Sequence, residues 1–118
     1  MVLVVDDDSD LRETICDVLE AYGHRTHAAR DGEEALAVLR REAGIEIVLL
    51  DLMMPIMNGW EFRASQLADR ELARIPVVVM TAAADLTRSP IAAAQVLPKP
   101  VTTKALLDAI AQHALAPQ

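Results

Sequence analysis

Short apolar runs alternate along this chain with stretches in which apolar residues recur every three or four positions. Three of the runs are too brief for helices and rich in β-branched residues, which predicts buried strands over residues 2–5, 45–50 and 75–80. A fourth run, residues 96–97, predicts one further brief strand. A fifth segment, residues 24–29, is polar and only weakly β-like, so we expect it to form an edge strand.

The stretches between the runs have the pattern of amphipathic helices, and each begins at a residue that caps helices well. Four such helices are predicted, with the caps Asp8 or Ser9, Asp31, Asn58 and Thr102. They span residues 9–22, 32–42, 59–69 and 103–114. Between the fourth and fifth strands the helical signal is weak, and Ser89 followed by Pro90 predicts one short turn through Ala94.

Strands that alternate with helices, most of them continuously apolar, are typical of an α/β fold with a parallel sheet and helices on both faces. If the polar second strand lies at the edge, the order of the five strands is 2-1-3-4-5, as in flavodoxin-like folds. Ligands of such sheets bind where the order reverses, here between strands one and three. The length of 118 residues and the apolar content of 53% suit one domain over residues 1–118.

Polar residues follow four of the five predicted strands: Asp6 and Asp7, then Asp51, then Thr81, then Lys99. Because parallel strands end at the same edge of a sheet, we expect these side chains to share a pocket. Close carboxylates repel one another unless a cation lies among them, and an all-oxygen site favours Mg²⁺ over Zn²⁺. A hydroxyl and an ammonium beside them would bind phosphoryl oxygens, so the set indicates phosphoryl transfer onto Asp51.

Four motifs resemble, in the same order, those of the receiver domain of bacterial two-component response regulators: VLVVDDD, VLLDLMMPIMNGWEF, VVVMTA and VLPKPV. Each motif alone is weak, but the four together are highly specific. The likeness covers essentially the whole chain, and it implies that the chain is a single receiver domain.

The resemblance implies a role for each polar strand end. Asp51 would be the phosphoacceptor, Thr81 the switch hydroxyl and Lys99 the amine that binds the phosphoryl group. Mg²⁺ would be held by three acids and one backbone carbonyl, those of Asp6, Asp7, Asp51 and Met53. The family also has a cis peptide before the proline that follows this lysine, here Pro100.

The function that the resemblance implies is phosphorelay signalling. The domain would take a phosphoryl group from a histidine kinase or a histidine phosphotransfer protein in an Mg²⁺-dependent reaction, and would then change conformation. It would catalyse its own phosphorylation and dephosphorylation without being an enzyme in the ordinary sense. The output partner has no signature in the sequence.

Composition limits which classes of partner the protein could bind and where in the cell we expect it. A formal net charge of −7 leaves too few Lys and Arg for a phosphate-backbone interface, so we expect no direct nucleic-acid partner. The single Cys16 excludes an internal disulfide, and acids follow Met1 too soon for a signal peptide. With no long apolar run, we expect a cytoplasmic protein without membrane association.

Some positions depart from the usual family pattern. Val96 stands three residues before Lys99, where receivers usually carry Tyr or Phe. Lys99 follows Thr81 by 18 positions, which is fewer than is usual in the family. The missing length falls between the fourth and fifth strands, so we expect the helix that receivers have at that place, their fourth, to be shortened. Neither Met53 nor Ala82 offers a side chain that orients a hydrolytic water, so we expect the phosphoryl group to be long-lived.

Two other functions fit parts of the pattern. A hydrolase of the haloacid dehalogenase type also forms an aspartyl phosphate, but such enzymes place a second acid two residues after the nucleophile, where this chain has Met53. A degenerate receiver would keep the fold and bind partners without being phosphorylated. The intact set of polar strand ends argues against this module, because such a module does not need it.

Overall fold

The computed structural model describes residues 1–82, 85 and 90–116. Its centre is a sheet of five parallel strands in the order β2-β1-β3-β4-β5. The strands are β1 (Val2–Val5), β2 (Thr26–Ala29), β3 (Ile47–Asp51), β4 (Val77–Thr81) and β5 (Gln95–Pro98). The predicted strand order is confirmed, and the polar β2 lies at an edge of the sheet as expected.

The described helices are α1 (Ser9–Ala21), α2 (Gly32–Arg41), α3 (Gly59–Leu67), α4 (Arg70–Ala73) and α5 (Thr103–His113). Four of them begin at predicted caps, and Asp8 rather than Ser9 caps the first. The short α4 was not predicted. The prediction instead extended α3 to Asp69, which in the structure caps α4 by accepting from two backbone N–H groups. No described helix has the length and apolar content needed to cross a membrane.

Alternate residues of the central strands face opposite sides of the sheet, so each apolar run contributes to two cores. On one side the strands pack against α2 and α3, through side chains such as Leu36 and Phe62. On the other side they pack against α1 and α5, through Leu19 and Ile110. Because both sides are covered, β1, β3 and β4 are buried along their whole length. This explains why their sequences carry no polar residue before the last position.

The segment before β5 differs from the prediction, because residues 90–94 form no helix. Their backbone groups are bonded elsewhere. The N–H of Ala94 donates to the first carbonyl of β4 at 2.9 Å, and the carbonyl of Ala92 accepts from Nε of Arg63 at 2.8 Å. The predicted cap Ser89 lies outside the described residues.

The polar side chain of Gln66 in α3 is fully buried, and both its amide nitrogen and its amide oxygen form hydrogen bonds. Its Nε2 donates to the carbonyls of Leu72 at 2.9 Å and Ile75 at 3.0 Å, and its Oε1 accepts from Nη1 of Arg63 at 2.7 Å. Bonded in this way, a buried amide costs little free energy. Through Arg63 and Gln66, α3 is tied to α4, to the start of β4 and to the segment that leads into β5.

Replacing Gln66 with Met keeps the size of the side chain and removes its hydrogen bonds. The carbonyls of Leu72 and Ile75 each lose the hydrogen bond from Gln66, although Leu72 keeps the one from the N–H of Ile75, and Nη1 of Arg63 loses its acceptor. We therefore expect the free energy of unfolding to fall by about 2–4 kcal/mol. Urea denaturation measures this change. The matched control is Gln112→Met at an exposed position of α5, where we expect a change within about 0.5 kcal/mol. Equal effects of the two substitutions would show that the Gln66 contacts contribute nothing.

Candidate functional site

The strand ends that carry the predicted site residues lie at one edge of the sheet. In the register of β1 and β3, Val5 lies opposite Leu50, so the residues that follow, Asp6 and Asp51, are neighbours. β4 ends beside β3, and β5 ends beside β4, where Thr81 lies opposite Pro98. The strand order reverses between β1 and β3, which is where open α/β sheets bind their ligands.

Three carboxylates lie together at this edge. Asp6, Asp7 and Asp51 each offer an oxygen atom, and these oxygens lie within 4.8 Å of one another. Asp6 is fully buried and Asp51 is 4% exposed, whereas Asp7 is exposed to solvent. A set of oxygen donors that is buried on one side and open to water on the other fits a hard divalent cation such as Mg²⁺.

Lys99 contacts both buried acids. Its Nζ lies 3.2 Å from Oδ2 of Asp6 and 3.4 Å from Oδ1 of Asp51. The other carboxylate oxygen of Asp6 accepts from the N–H of Asp8 at 3.0 Å, and its backbone carbonyl accepts from Nη1 of Arg12 at 2.7 Å. These bonds fix the turn after β1 and the direction of the Asp6 side chain. Arg12 was not predicted, because its partner is a backbone group without a sequence signature.

The charges of the site are out of balance. Burial and the neighbouring Asp6 raise the pKa of Asp51 from 3.8 to about 6, against the opposing effects of Lys99 and of a hydrogen bond from the Met53 N–H. Burial by itself lowers the pKa of Lys99, but the charges of Asp51 and Asp6 outweigh burial and raise this pKa above its usual value. One ammonium cannot neutralise three carboxylates, so the site would bind an added cation favourably.

Close backbone contacts hold the loop that follows Asp51. The N–H of Gly59 donates to the carbonyl of Leu52 at 2.9 Å, and a Cβ at position 59 would lie 2.7 Å from Leu52 Cα, too close for any residue but glycine. Asn58 starts α3 with the predicted capping box. Met53, whose backbone carbonyl is the predicted metal ligand, lies in this loop with its side chain directed partly to solvent.

Thr81 is fully buried at the end of β4. Its carbonyl accepts from the N–H of Lys99 at 2.9 Å, which joins the ends of β4 and β5 and so helps to position the lysine. Its hydroxyl donates within the following loop, with Ala82 O at 3.4 Å and Oδ2 of Asp85 at 3.3 Å. Asp85 was not predicted, because it lies in the stretch where the sequence pattern is weakest.

Two further predictions concern the surroundings of Lys99. The peptide bond from Lys99 to Pro100 is cis, as the resemblance implies. Val96 is half-buried and packs against the core beneath α2 and α3. A small aliphatic side chain therefore occupies the place where an aromatic ring is usual in receivers.

Comparison with known sequences agrees with this geometry. The profile of the family described as "Response regulator receiver domain" matches residues 2–111. The response regulator protein FleR of Pseudomonas aeruginosa is 41% identical over 118 aligned positions, which cover 97% of this chain and 24% of FleR. The chain thus spans about a quarter of the length of this relative.

Solved structures give the same result. The signal receiver domain of a signal transduction histidine kinase from Syntrophus aciditrophicus is 26% identical with a TM-score of 0.86, and the match covers 94% of this chain and 86% of that one. The chemotaxis response regulator CheY4 of Vibrio cholerae is 27% identical with a TM-score of 0.82, over 94% and 95% of the two chains. The order of strands thus belongs to a fold whose solved examples include receivers.

The raised pKa of Asp51 predicts that Asp51→Asn stabilises the protein when no divalent cation is present. Ionising Asp51 costs free energy in the folded state, since its folded pKa of about 6 exceeds 3.8. This cost is absent below the lower value, grows as the pH rises between the two, and is complete above the higher one. We expect the variant to be about 1–3 kcal/mol more stable at about pH 8 and to lose most of that advantage at about pH 4.5.

Urea denaturation with a chelator at the two pH values checks this expectation. The control is Asp17→Asn at an exposed position of α1, for which we expect a change within about 0.5 kcal/mol at either pH. A variant at position 51 that is less stable than the native chain at high pH would contradict the assigned sign.

Proposed function

The chain belongs to the response regulator receiver domain family, and on this premise we propose that it accepts a phosphoryl group on Asp51 from a phosphohistidine. The donor is a histidine kinase or a histidine phosphotransfer protein. The observation that carries the proposal is the contact of Lys99 with both Asp51 and Asp6 at the acidic edge. This contact puts a nucleophile, a phosphoryl-binding amine and cation ligands within one small space.

The nucleophile is a carboxylate oxygen of Asp51. As its bond to phosphorus forms, the bond from phosphorus to the donor imidazole breaks, and the electron pair of that bond passes to the imidazole nitrogen. With a pKa of about 6, Asp51 is largely ionised at neutral pH and so is ready to attack. The N–H of Met53, which donates to Asp51, helps to keep the carboxylate oriented.

Asp6, Asp7 and Asp51, together with the carbonyl of Met53, are the residues that would hold Mg²⁺. When bound, Mg²⁺ supplies positive charge opposite the phosphoryl oxygens. Lys99 supplies the second positive charge from its own side, moving from the carboxylate of Asp51 to a phosphoryl oxygen. The protein thus contributes mainly position and charge, as is typical of phosphoryl transfer.

Phosphorylation then changes the conformation through Thr81. Its hydroxyl turns toward a phosphoryl oxygen, which biases an existing equilibrium between two conformations. Val96 has no ring to follow this movement, so the change passes to the output partner by another route, through the loop after β4. The output partner is a protein, and a cytoplasmic location, where the single thiol of Cys16 stays reduced, is part of this proposal.

A phosphatase and a non-phosphorylated module are less well supported. A phosphatase needs an acid or base that activates water beside the aspartyl phosphate, and the nearby Met53 and Ala82 side chains have no such group. A module that binds partners without phosphorylation has no use for buried acids that raise the pKa of Asp51, because they only reduce stability. The receiver function accounts for both features.

Incubation with acetyl phosphate and Mg²⁺, followed by intact mass measurement, tests the proposal. We expect one phosphoryl adduct on the native chain and on Asp17→Asn, and none on Asp51→Asn or after chelation of the metal. Lys99→Met should reduce the rate of adduct formation about 10- to 1000-fold, since it removes a charge that stabilises the transition state. Hydrolysis of acetyl phosphate without an adduct would favour the phosphatase, and no reaction would favour the module.

The absence of a water-orienting side chain predicts a slow loss of the phosphoryl group. Met53 is 42% exposed, so a polar side chain of similar length fits at this position. We expect Met53→Gln to shorten the lifetime of the aspartyl phosphate about threefold or more, because its amide can position a water molecule. Met53→Leu is the matched control and should leave the lifetime within about twofold of the native value. The measurement is the decay of the adduct by mass spectrometry after acetyl phosphate is removed. A native adduct that decays as fast as that of Met53→Gln would contradict the prediction.

A further inference from the structure

The hydroxyl of Thr81 is already bonded in this structure, and its partner belongs to no role assigned above. We propose that Asp85 is a positioning residue that holds this hydroxyl away from the phosphoryl group and so sets how readily the domain adopts its phosphorylated conformation. The inference rests on the proposed function, since it concerns the same hydroxyl. Its basis is the contact of 3.3 Å between Oγ1 of Thr81 and Oδ2 of Asp85.

The carboxylate of Asp85 and a phosphoryl oxygen would compete for the hydroxyl of Thr81. A threonine side chain carries one O–H donor, so it can donate fully to one acceptor at a time. While it donates to the Asp85 carboxylate, or to the carbonyl of Ala82 at 3.4 Å, it is not available to a phosphoryl oxygen. The switch proposed for Thr81 therefore begins with the loss of its bond to Asp85.

The backbone of Thr81 is held in place, so only its side chain is able to move. Its carbonyl is held by the N–H of Lys99 at 2.9 Å, and its Cα is fixed opposite Pro98 in the sheet. Rotation between staggered χ1 positions is the movement that remains, and it redirects the hydroxyl without displacing the strand. Since Thr81 is fully buried, the hydroxyl needs a protein or ligand acceptor in either position.

A backbone hydrogen bond places the competing carboxylate. The N–H of Asp85 donates to the carbonyl of Ala82 at 3.0 Å, which keeps Asp85 close to the end of β4. Asp85 is half-buried there, so its carboxylate reaches the Thr81 hydroxyl and still faces water. At 3.3 Å, this hydrogen bond is longer than O–H···O bonds usually are, which allows the hydroxyl to exchange partners.

The carboxylate of Asp85 has two separable effects on an incoming phosphoryl group. It accepts the hydrogen bond of Thr81, and it also carries a negative charge that repels an anion. Asn at this position keeps an acceptor oxygen of similar reach and removes the charge, whereas Ala removes both. Comparison of Asp85→Asn with Asp85→Ala therefore distinguishes the hydrogen bond from the charge.

The test is calorimetric titration with beryllofluoride, a mimic of the phosphoryl group, in saturating Mg²⁺. We expect Asp85→Ala to bind it about two- to tenfold more tightly than the native chain, the range that corresponds to the net contribution of one typical hydrogen bond. Asp85→Asn should stay within about twofold of the native affinity, because it keeps the acceptor. In a Thr81→Ala background, Asp85→Ala should have no further effect. Mg²⁺ affinity without beryllofluoride should be unchanged in all Asp85 variants.

Each other outcome overturns the inference. Equal tightening by Asp85→Asn and Asp85→Ala would assign the effect to charge, and tightening that persists without the Thr81 hydroxyl would show that Asp85 does not act through it. An unchanged affinity of Asp85→Ala, with native circular dichroism, would show that the bond does not compete. Failure of the proposed function looks different, because the native chain would then bind no beryllofluoride and form no adduct with acetyl phosphate, and the inference would fall with it.

Discussion

Repulsion between buried carboxylates at one edge of the sheet is the constraint on which the rest of this structure depends. Asp6 and Asp51 end adjacent strands that are buried on both faces, so neither acid can move away into solvent. Lys99 offsets only part of their repulsion, and the pKa of Asp51 stays raised to about 6. A folded state that tolerates such a cost is typical of a site that works with ions, because a bound cation turns the repulsion between the carboxylates into binding energy.

Packing of the sheet offsets the free-energy cost of these buried charges and holds the site residues in place. Each of the three inner strands contributes to two cores, so the positions of their last residues are fixed by packing on both sides. Backbone hydrogen bonds complete the frame: Gly59 closes the loop after Asp51, and the N–H of Lys99 joins the ends of β4 and β5 through Thr81. The proposed function first requires movement of two groups in this frame, the amine of Lys99 and the hydroxyl of Thr81.

The segment before β5, residues 90–94, forms neither a helix nor a strand. Residues 90–94 are held by hydrogen bonds from Arg63 and to β4 instead of by helical bonds of their own. The buried Gln66 orders Arg63 and also bonds to the ends of two neighbouring segments. Val96 stands at the position of the usual aromatic ring and packs against the core beneath α2 and α3. The segment before β5 and the acidic edge are therefore held in place by different kinds of contact.

Strands that are buried on both faces need continuous apolar runs, and helices begin at capping residues, so the chain alone indicates these segments and the acids and amine that follow the strands. From this pattern the strand order and the sharing of one edge by Asp51 and Lys99 were predictable. The short α4, the burial of Gln66 and the bond from the Thr81 hydroxyl to Asp85 became evident only in the folded protein. The carbonyls that Gln66 bonds are present in every residue, so no sequence pattern marks them. Asp85 lies in the stretch where the apolar pattern is weakest, so its distance from Thr81 depends on how the folded chain packs.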